Sequence, residues 1–193
     1  NKTEPNFELI KKISSVSRMP ICYSGGISNM KQVMKITSFG VEKISVSTHA
    51  LNNILFLKNI SHKIGRQSLS VTINIKKIDD QYSIFSHNGK KKYEGLLLDF
   101  IYQIKDIVGE IIINDIDKDG TMNGINTEIL EIINHHISVP LIIIGGAGSI
   151  NHVREVINKN HIIGVGCASL FVFKGKNKAV LINYPKDQIF RNL

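Results

Sequence analysis

Tryptophan is absent from this 193-residue chain, cysteine occurs twice and aromatic residues make up only 7%. A surface that grips nucleic acid stacks bases on rings set among basic side chains, and the sequence offers neither the rings nor the interleaving, so no nucleic-acid partner is expected. The cysteines, Cys22 and Cys167, do not stand in metal-ligand spacing. They are expected to be buried, reduced thiols, with no bound metal or cofactor. No apolar run approaches the ~18 residues of a membrane-crossing helix, and no charged-then-apolar leader is visible. No membrane partner is expected, and the cytoplasm is the expected compartment. Acidic residues are in deficit, 16 against 24 lysines and arginines, for a net charge of +8. The lysines are scattered (Lys11, Lys12, Lys31, Lys35, Lys58, Lys63), and the one run, Lys90-Lys91-Lys92, follows the hairpin signal Asn88-Gly89. This charge reads as solvated surface and suits an anionic substrate or a partner with an acidic face.

What is present is a repeat. Pro20-Ile-Cys-Tyr-Ser-Gly25-Gly26 returns as Pro140-Leu-Ile-Ile-Ile-Gly145-Gly146, and Val33 in the segment that follows returns as Val153. In each copy an apolar run ends in a glycine pair, an amphipathic segment follows, and a second apolar run closes on small residues: Ser45-Val-Ser47-Thr48 in one, Gly166-Cys-Ala168-Ser169 in the other. A strand that ends in Gly-Gly ahead of a helix presents bare backbone N–H groups to an anion, and the helix N-terminus adds partial positive charge. Two such cradles suggest a substrate with two phosphates.

Hydrophobic residues make up 42% of the chain, enough for the core of one domain, taken as residues 1–193. Strands are expected at Pro20–Ser24, Lys43–Val46, Ser68–Ile75, Glu110–Asp115, Pro140–Ile144 and Ile162–Gly166. Each is short and apolar, as strands buried on both faces of a parallel sheet are. Helices fit between them at Asn29–Ser38, Leu51–Lys63, Asp99–Ile107, Thr127–His135 and Asn151–Lys159, with a further helical pattern through Phe7, Ile10 and Ile13. A small hairpin is expected around Asn88-Gly89, from Tyr82–Phe85 to Lys92-Tyr93. Strict alternation with a half-chain repeat favours an α/β (βα)8 TIM barrel over an open doubly wound sheet. The runs at Ser68–Ile75 and Glu110–Asp115 have repeat partners that would fall ahead of Asn1. The expectation is therefore of a chain missing about two N-terminal βα units, on the order of 50 residues of a ~250-residue barrel.

Gly25-Gly26-Ile27, Lys43-Ile-Ser45, Asp117-Lys-Asp119-Gly120-Thr121 with Gly124, Gly145-Gly-Ala-Gly148 and Ala168-Ser169-Leu-Phe171 together resemble the cyclase subunit of imidazole glycerol phosphate synthase. That subunit is the ammonia-using, lyase half of a glutamine amidotransferase in histidine biosynthesis. The likeness runs from Asn1 to about Lys174. The ending, Lys178-Ala-Val-Leu-Ile-Asn-Tyr-Pro185, resembles instead paralogues found with surface-glycan genes, which supply ammonia for amidating a sugar.

The resemblance implies a glutaminase partner and a phosphorylated small-molecule substrate. It assigns Gly25, Gly26, Ser47 and Thr48 to one phosphate, and Gly145, Gly146, Ala168 and Ser169 to the other. It places Asp117, Asp119 and Thr121 on the substrate loop, with Asp119 beside the reacting group, and Lys43 and Glu110 at the opposite mouth as an ammonia gate. The family's chemistry uses two aspartates as general acid and base. One would lie ahead of Asn1, and the other aligns with Asn74, whose amide cannot exchange a proton near neutral pH. Three roles are compatible with this pattern: an active cyclase, a paralogue that conducts ammonia to a sugar-modifying enzyme, and a non-catalytic scaffold.

Overall fold

In the computed structural model, which describes residues 4–159, 163–175, 177–182 and 184, alternating strands and helices build one main sheet, with a separate two-stranded pair near the C-terminus. The chain runs α1 (Phe7–Val16), β1 (Cys22–Ser24), α2 (Met30–Thr37), β2 (Lys43–Val46), α3 (Thr48–Asn52), α4 (Ile54–Ile64), β3 (Leu69–Ile78), β4 (Gln81–Ser86) and β5 (Lys91–Leu96). It continues through α5 (Leu97–Ile104), β6 (Glu110–Asp115), α6 (Glu128–Asn134), β7 (Leu141–Ile144), α7 (Ile150–Lys159) and β8 (Ile163–Gly166). It closes with α8 (Ser169–Val172), β9 (Phe173–Lys174) and β10 (Ala179–Val180).

Six strands lie parallel in the order β1-β2-β3-β6-β7-β8. Curled with its helices, this is an α/β sheet of the TIM-barrel type. As expected, the Gly25 strand and the Gly166 strand are the two ends of that order and are not paired with each other among the described residues. The expected start of the last strand, Ile162, lies outside the described residues, as does His161.

Alternation along the strands divides the two faces of the sheet. Ile44, Val46, Leu69, Val71, Ile73, Ile111, Ile113, Leu141 and Ile143 are buried in a core shared with Val33 and Ile36 of α2, Leu57 and Ile60 of α4, Ile101 and Ile104 of α5, and Ile129 and Ile133 of α6. The intervening positions are Lys43 and Ser45 on β2, Ser70, Thr72 and Asn74 on β3, and Glu110, Ile112 and Asn114 on β6. This corrects the expectation of strands apolar on both faces: the second face of β2, β3 and β6 is largely polar.

Two local features also differ from expectation. The helix expected as one run from Leu51 to Lys63 breaks at Asn53 (φ −150°, ψ 75°), whose Oδ1 accepts the Phe56 N–H at 2.9 Å and so starts α4 as a cap. The expected hairpin is present but longer, because β3 runs on to Ile78 and reverses through Asp79 (φ 48°) and Asp80 (φ 61°) before β4. Aspartate tolerates the left-handed conformation that such a tight turn needs.

The thiols are less buried than expected: Cys22 is exposed and Cys167 half-buried. Partial desolvation still pushes both above the usual thiol range. Among the described residues no helix is long and apolar enough to cross a membrane.

Candidate functional site

At the N-terminal ends of the strands, Lys43 Nζ on β2 sits 2.5 Å from Glu110 Oε2 on β6. The pair reaches across β3, which lies between the two strands. Glu110 is only 7% exposed, so the ion pair is what allows a carboxylate to stay buried there. Further along the same face, Cys22 Sγ and Ser70 Oγ are 3.7 Å apart, and Ser45 Oγ and Thr72 Oγ1 share a hydrogen bond of 2.7 Å.

At the C-terminal ends, the expected catalytic position Asn74 is held from both sides. Its Nδ2 donates to Ser47 Oγ at 3.2 Å, and its Oδ1 accepts from Asn114 Nδ2 at 2.9 Å. Neither amide titrates near neutral pH, so this group orients and hydrogen-bonds without moving a proton. Asn114 Oδ1 is buried and has no partner among the described residues. Asn114 was not anticipated from sequence; the signal available was its place in the strand-ending Asn114-Asp115, one residue before the loop that carries Asp117 and Asp119.

The two glycine turns occupy the same end of the sheet. Gly25 (φ 121°) and Gly26 (φ 68°) follow β1 and are exposed, while Ser47 and Thr48 open α3 beside them in the sheet order. Gly145 (φ 111°) and Gly146 (φ 87°) follow β7 and are buried. Asp119, Gly120, Gly145, Gly146, Ala168 and Ser169 border one narrow cleft, so the structure brings together the whole second cradle and the aspartate expected beside the substrate. That cleft holds about 20 Å³, room for about one water molecule, because the loop after β6 covers it. The Gly124 N–H donates to the Gly146 carbonyl at 2.8 Å.

Asp117 and Thr121 do not join that cleft. Asp117 faces Lys76, Oδ1 to Nζ 4.0 Å, and lines the neighbouring pocket, while the Thr121 hydroxyl donates to the Lys118 carbonyl at 2.7 Å within its own loop.

Over residues 1–177 the sequence matches the family described as histidine biosynthesis protein. The chain belongs to that family. Its relatives make it a subunit of the HisF kind. It is 32% identical over 182 residues to the imidazole glycerol phosphate synthase subunit HisF of Chlorobaculum parvum, across 94% of this chain and 72% of that protein. Identity is 44% to a protein of Leptospira borgpetersenii provisionally named as that subunit, across 94% of this chain and 73% of that protein. It is 39% to one of Vibrio vulnificus provisionally named as subunit hisF3, across 94% and 71%.

In this HisF-like subunit the covering loop is tied down by a group that sequence reasoning missed. Asp115 is 4% exposed; its Oδ1 accepts the N–H groups of Asp117 (3.1 Å) and Lys118 (3.3 Å), and its Oδ2 accepts Asn126 Nδ2 at 2.6 Å. Asn126 in turn bonds Tyr82 of the hairpin, whose hydroxyl donates to Glu128 Oε2 at 2.8 Å. Lys77 Nζ lies 2.9 Å from both Glu128 oxygens. That lysine, by hydrogen bonding, holds the Glu128 carboxyl below the usual carboxylate range, while burial pushes the Tyr82 hydroxyl up. Asp115, Tyr82, Asn126, Glu128 and Lys77 border an open pocket of about 360 Å³ between hairpin and loop. The inserted hairpin therefore anchors the loop that roofs the second glycine turn.

Proposed function

We propose that the chain is the barrel subunit of a glutamine amidotransferase which receives ammonia from a glutaminase partner and delivers it to a phosphorylated acceptor, without closing an imidazole ring itself. The observation that carries this reading is Asn74. At the position where the resemblance expects an acid-base aspartate stands an amide whose hydrogen-bonding groups are engaged by Ser47 and Asn114. The reading is supported by the ion pair between Lys43 and Glu110, the residues expected at the entrance, and by the hydroxyls of Ser45 and Thr72, not expected from sequence, partway along the same face. A small neutral amine can pass such a face by exchanging hydrogen bonds with hydroxyls, without meeting an acid that would trap it as ammonium.

Ammonia would enter where Lys43 and Glu110 part. It would emerge near Asn74 and Asn114, whose unpartnered Oδ1 can accept one of its N–H bonds. The acceptor's phosphates would sit at Gly25, Gly26, Ser47 and Thr48, and at Gly145, Gly146, Ala168 and Ser169. The second of these sites needs the covering loop to lift, since its cleft is too small for a phosphoryl group as it stands. Gly120 (φ 71°) and Gly124 (φ 106°) have open space where a Cβ would be and can serve as the hinges. Amidation of a sugar in surface-glycan assembly fits this arrangement. It is also supported by the ending Lys178–Pro185.

The second reading, an imidazole-forming cyclase of histidine biosynthesis, is favoured by the two retained glycine turns. One experiment separates them. The purified chain is mixed with its cognate glutaminase, and glutamine hydrolysis and ammonia-dependent cyclisation of the histidine-pathway substrate are followed together. The expected result is stimulated glutamine hydrolysis, reduced by Lys43→Ala, with no cyclisation. In Asn74→Asp, whose carboxylate could accept from both Ser47 and Asn114, cyclisation should rise by ~10²-fold or more over the unsubstituted chain. Cyclisation by the unsubstituted chain at the rate of a histidine-pathway enzyme would overturn the reading.

A further inference from the structure

Of the ten described residues that border the cleft at Gly145-Gly146, the only charged one is Asp119, an anion. A phosphoryl group seated there would face a carboxylate, with only backbone N–H groups and the Ser169 hydroxyl to offset it. Such a site is short of a cation. The lysine nearest in sequence, Lys118, lines the neighbouring pocket instead, with its stem against the Gly146 turn.

A cation approaches this cleft from a later segment of the chain. After α8 the chain folds into the short antiparallel pair β9–β10, with the Leu181 N–H donating to the Val172 carbonyl at 2.8 Å. At its turn Lys178 adopts φ 48°, in the left-handed region that side chains other than glycine enter at a cost, and its N–H donates to the Gly175 carbonyl at 3.1 Å. From that turn Lys178 Nζ donates to the Gly120 carbonyl at 3.0 Å, and Gly120 borders the cleft next to Asp119. An ammonium whose partner is a neutral carbonyl will exchange it for a phosphate dianion, a stronger acceptor, when one is in reach.

We propose that Lys178 is the cationic residue of the second phosphate site, holding the covering loop at Gly120 when the site is empty and moving onto the phosphoryl oxygens when it is filled. This rests on the phosphate-binding reading above and adds to it a residue from the segment that departs from the histidine-type ending. The same lysine would thus both latch the loop and recognise the ligand. Anion affinity here would depend on a C-terminal turn that lies outside the parallel sheet.

The test is calorimetric titration of the whole chain with inorganic phosphate and with ribose 5-phosphate at two salt concentrations. Lys178→Met should weaken binding about tenfold, the scale of one charged hydrogen bond in a partly solvated site, and should flatten the salt dependence. Lys178→Arg should retain most of the affinity. Lys178→Asn, which keeps a residue tolerant of positive φ, should lose as much as Lys178→Met, separating loss of charge from damage to the turn. Ser169→Asp serves as the control for the site itself. If Ser169→Asp and the unsubstituted chain bind the probes alike, no phosphate sits at this turn and both the site reading and the role of Lys178 fall. If Ser169→Asp abolishes one binding event, leaving that of the open Gly25 turn, while Lys178→Met and Lys178→Asn leave both unchanged, the site stands and the role of Lys178 is overturned.

Discussion

The turns at Gly25-Gly26 and Gly145-Gly146 are copies of one motif, and they need their glycines for different reasons. A Cβ placed on Gly25 would meet no atom within 4 Å; there the backbone conformation, φ 121°, is the whole requirement. A Cβ on Gly145 would lie 2.6 Å from the Asp115 carbonyl oxygen, and one on Gly146 would lie 2.0 Å from that of Gly124. The second turn is roofed by a neighbouring loop, and its glycines make room for backbone. An open turn can receive an anion as it stands, whereas a roofed one must first move its roof. The repeat thus carries two sites of unequal accessibility under one sequence signature.

The sharpest way to break this comparison is Gly146→Ala. The new methyl group has only backbone to displace, and the residue keeps an unfavourable φ, so the fold should lose about 4 kcal/mol. Urea denaturation would read this as a large drop in midpoint. Asp115→Ala comes next. It removes three hydrogen bonds to a buried carboxylate and leaves the Asp117 N–H and the Asn126 amide without their acceptor, while the Lys118 N–H keeps the Asp115 carbonyl, for about 2–3 kcal/mol. Faster protease cleavage within residues 116–126, with the Gly25 side unaffected, would mark the roof as the part released.

Gly25→Ala should cost less, about 1–2 kcal/mol, because only backbone strain opposes it. A loss as large as that of Gly146→Ala would mean that the first turn is also packed against something, and the contrast would fail. The smallest effect concerns pH. Lys77 lowers the Glu128 carboxyl, so that pair contributes stability above the ordinary carboxylate range and loses it as pH falls through the lowered value. Protease sensitivity of the loop should therefore stay flat from pH 7 to about 5 and rise only below the usual carboxylate pKa of about 4.3.

Much of the architecture was legible because it is written in local pattern. The strands Lys43–Val46 and Glu110–Asp115 fall where their apolar runs put them, and the turn signal Asn88-Gly89 marks a real hairpin. At Asn53 a capping residue stands inside a run whose apolar periodicity continues on both sides, and the cap starts a new helix there. The polar second face was visible in Lys43-Ile-Ser45-Val and Ser70-Val-Thr72-Ile-Asn74, yet strands this short read as apolar overall. Asp115 gave no signal of its own, because its partner Asn126 and the Tyr82 that Asn126 bonds lie 11 and 33 residues away from it and come together only when hairpin and loop pack.

The sequence by itself determined the α/β alternation, the duplicated glycine turns and the substitution of an amide at residue 74, since each depends on residue type and spacing along the chain. Only the tertiary structure decided that one turn stands open while the other lies beneath a loop, that Asp119 reaches the second turn while Asp117 does not, and that Lys178 approaches Gly120. Those outcomes depend on which segments, distant along the chain, are brought within about 3 Å of one another, and hydrogen bonds and steric contacts act only at that range.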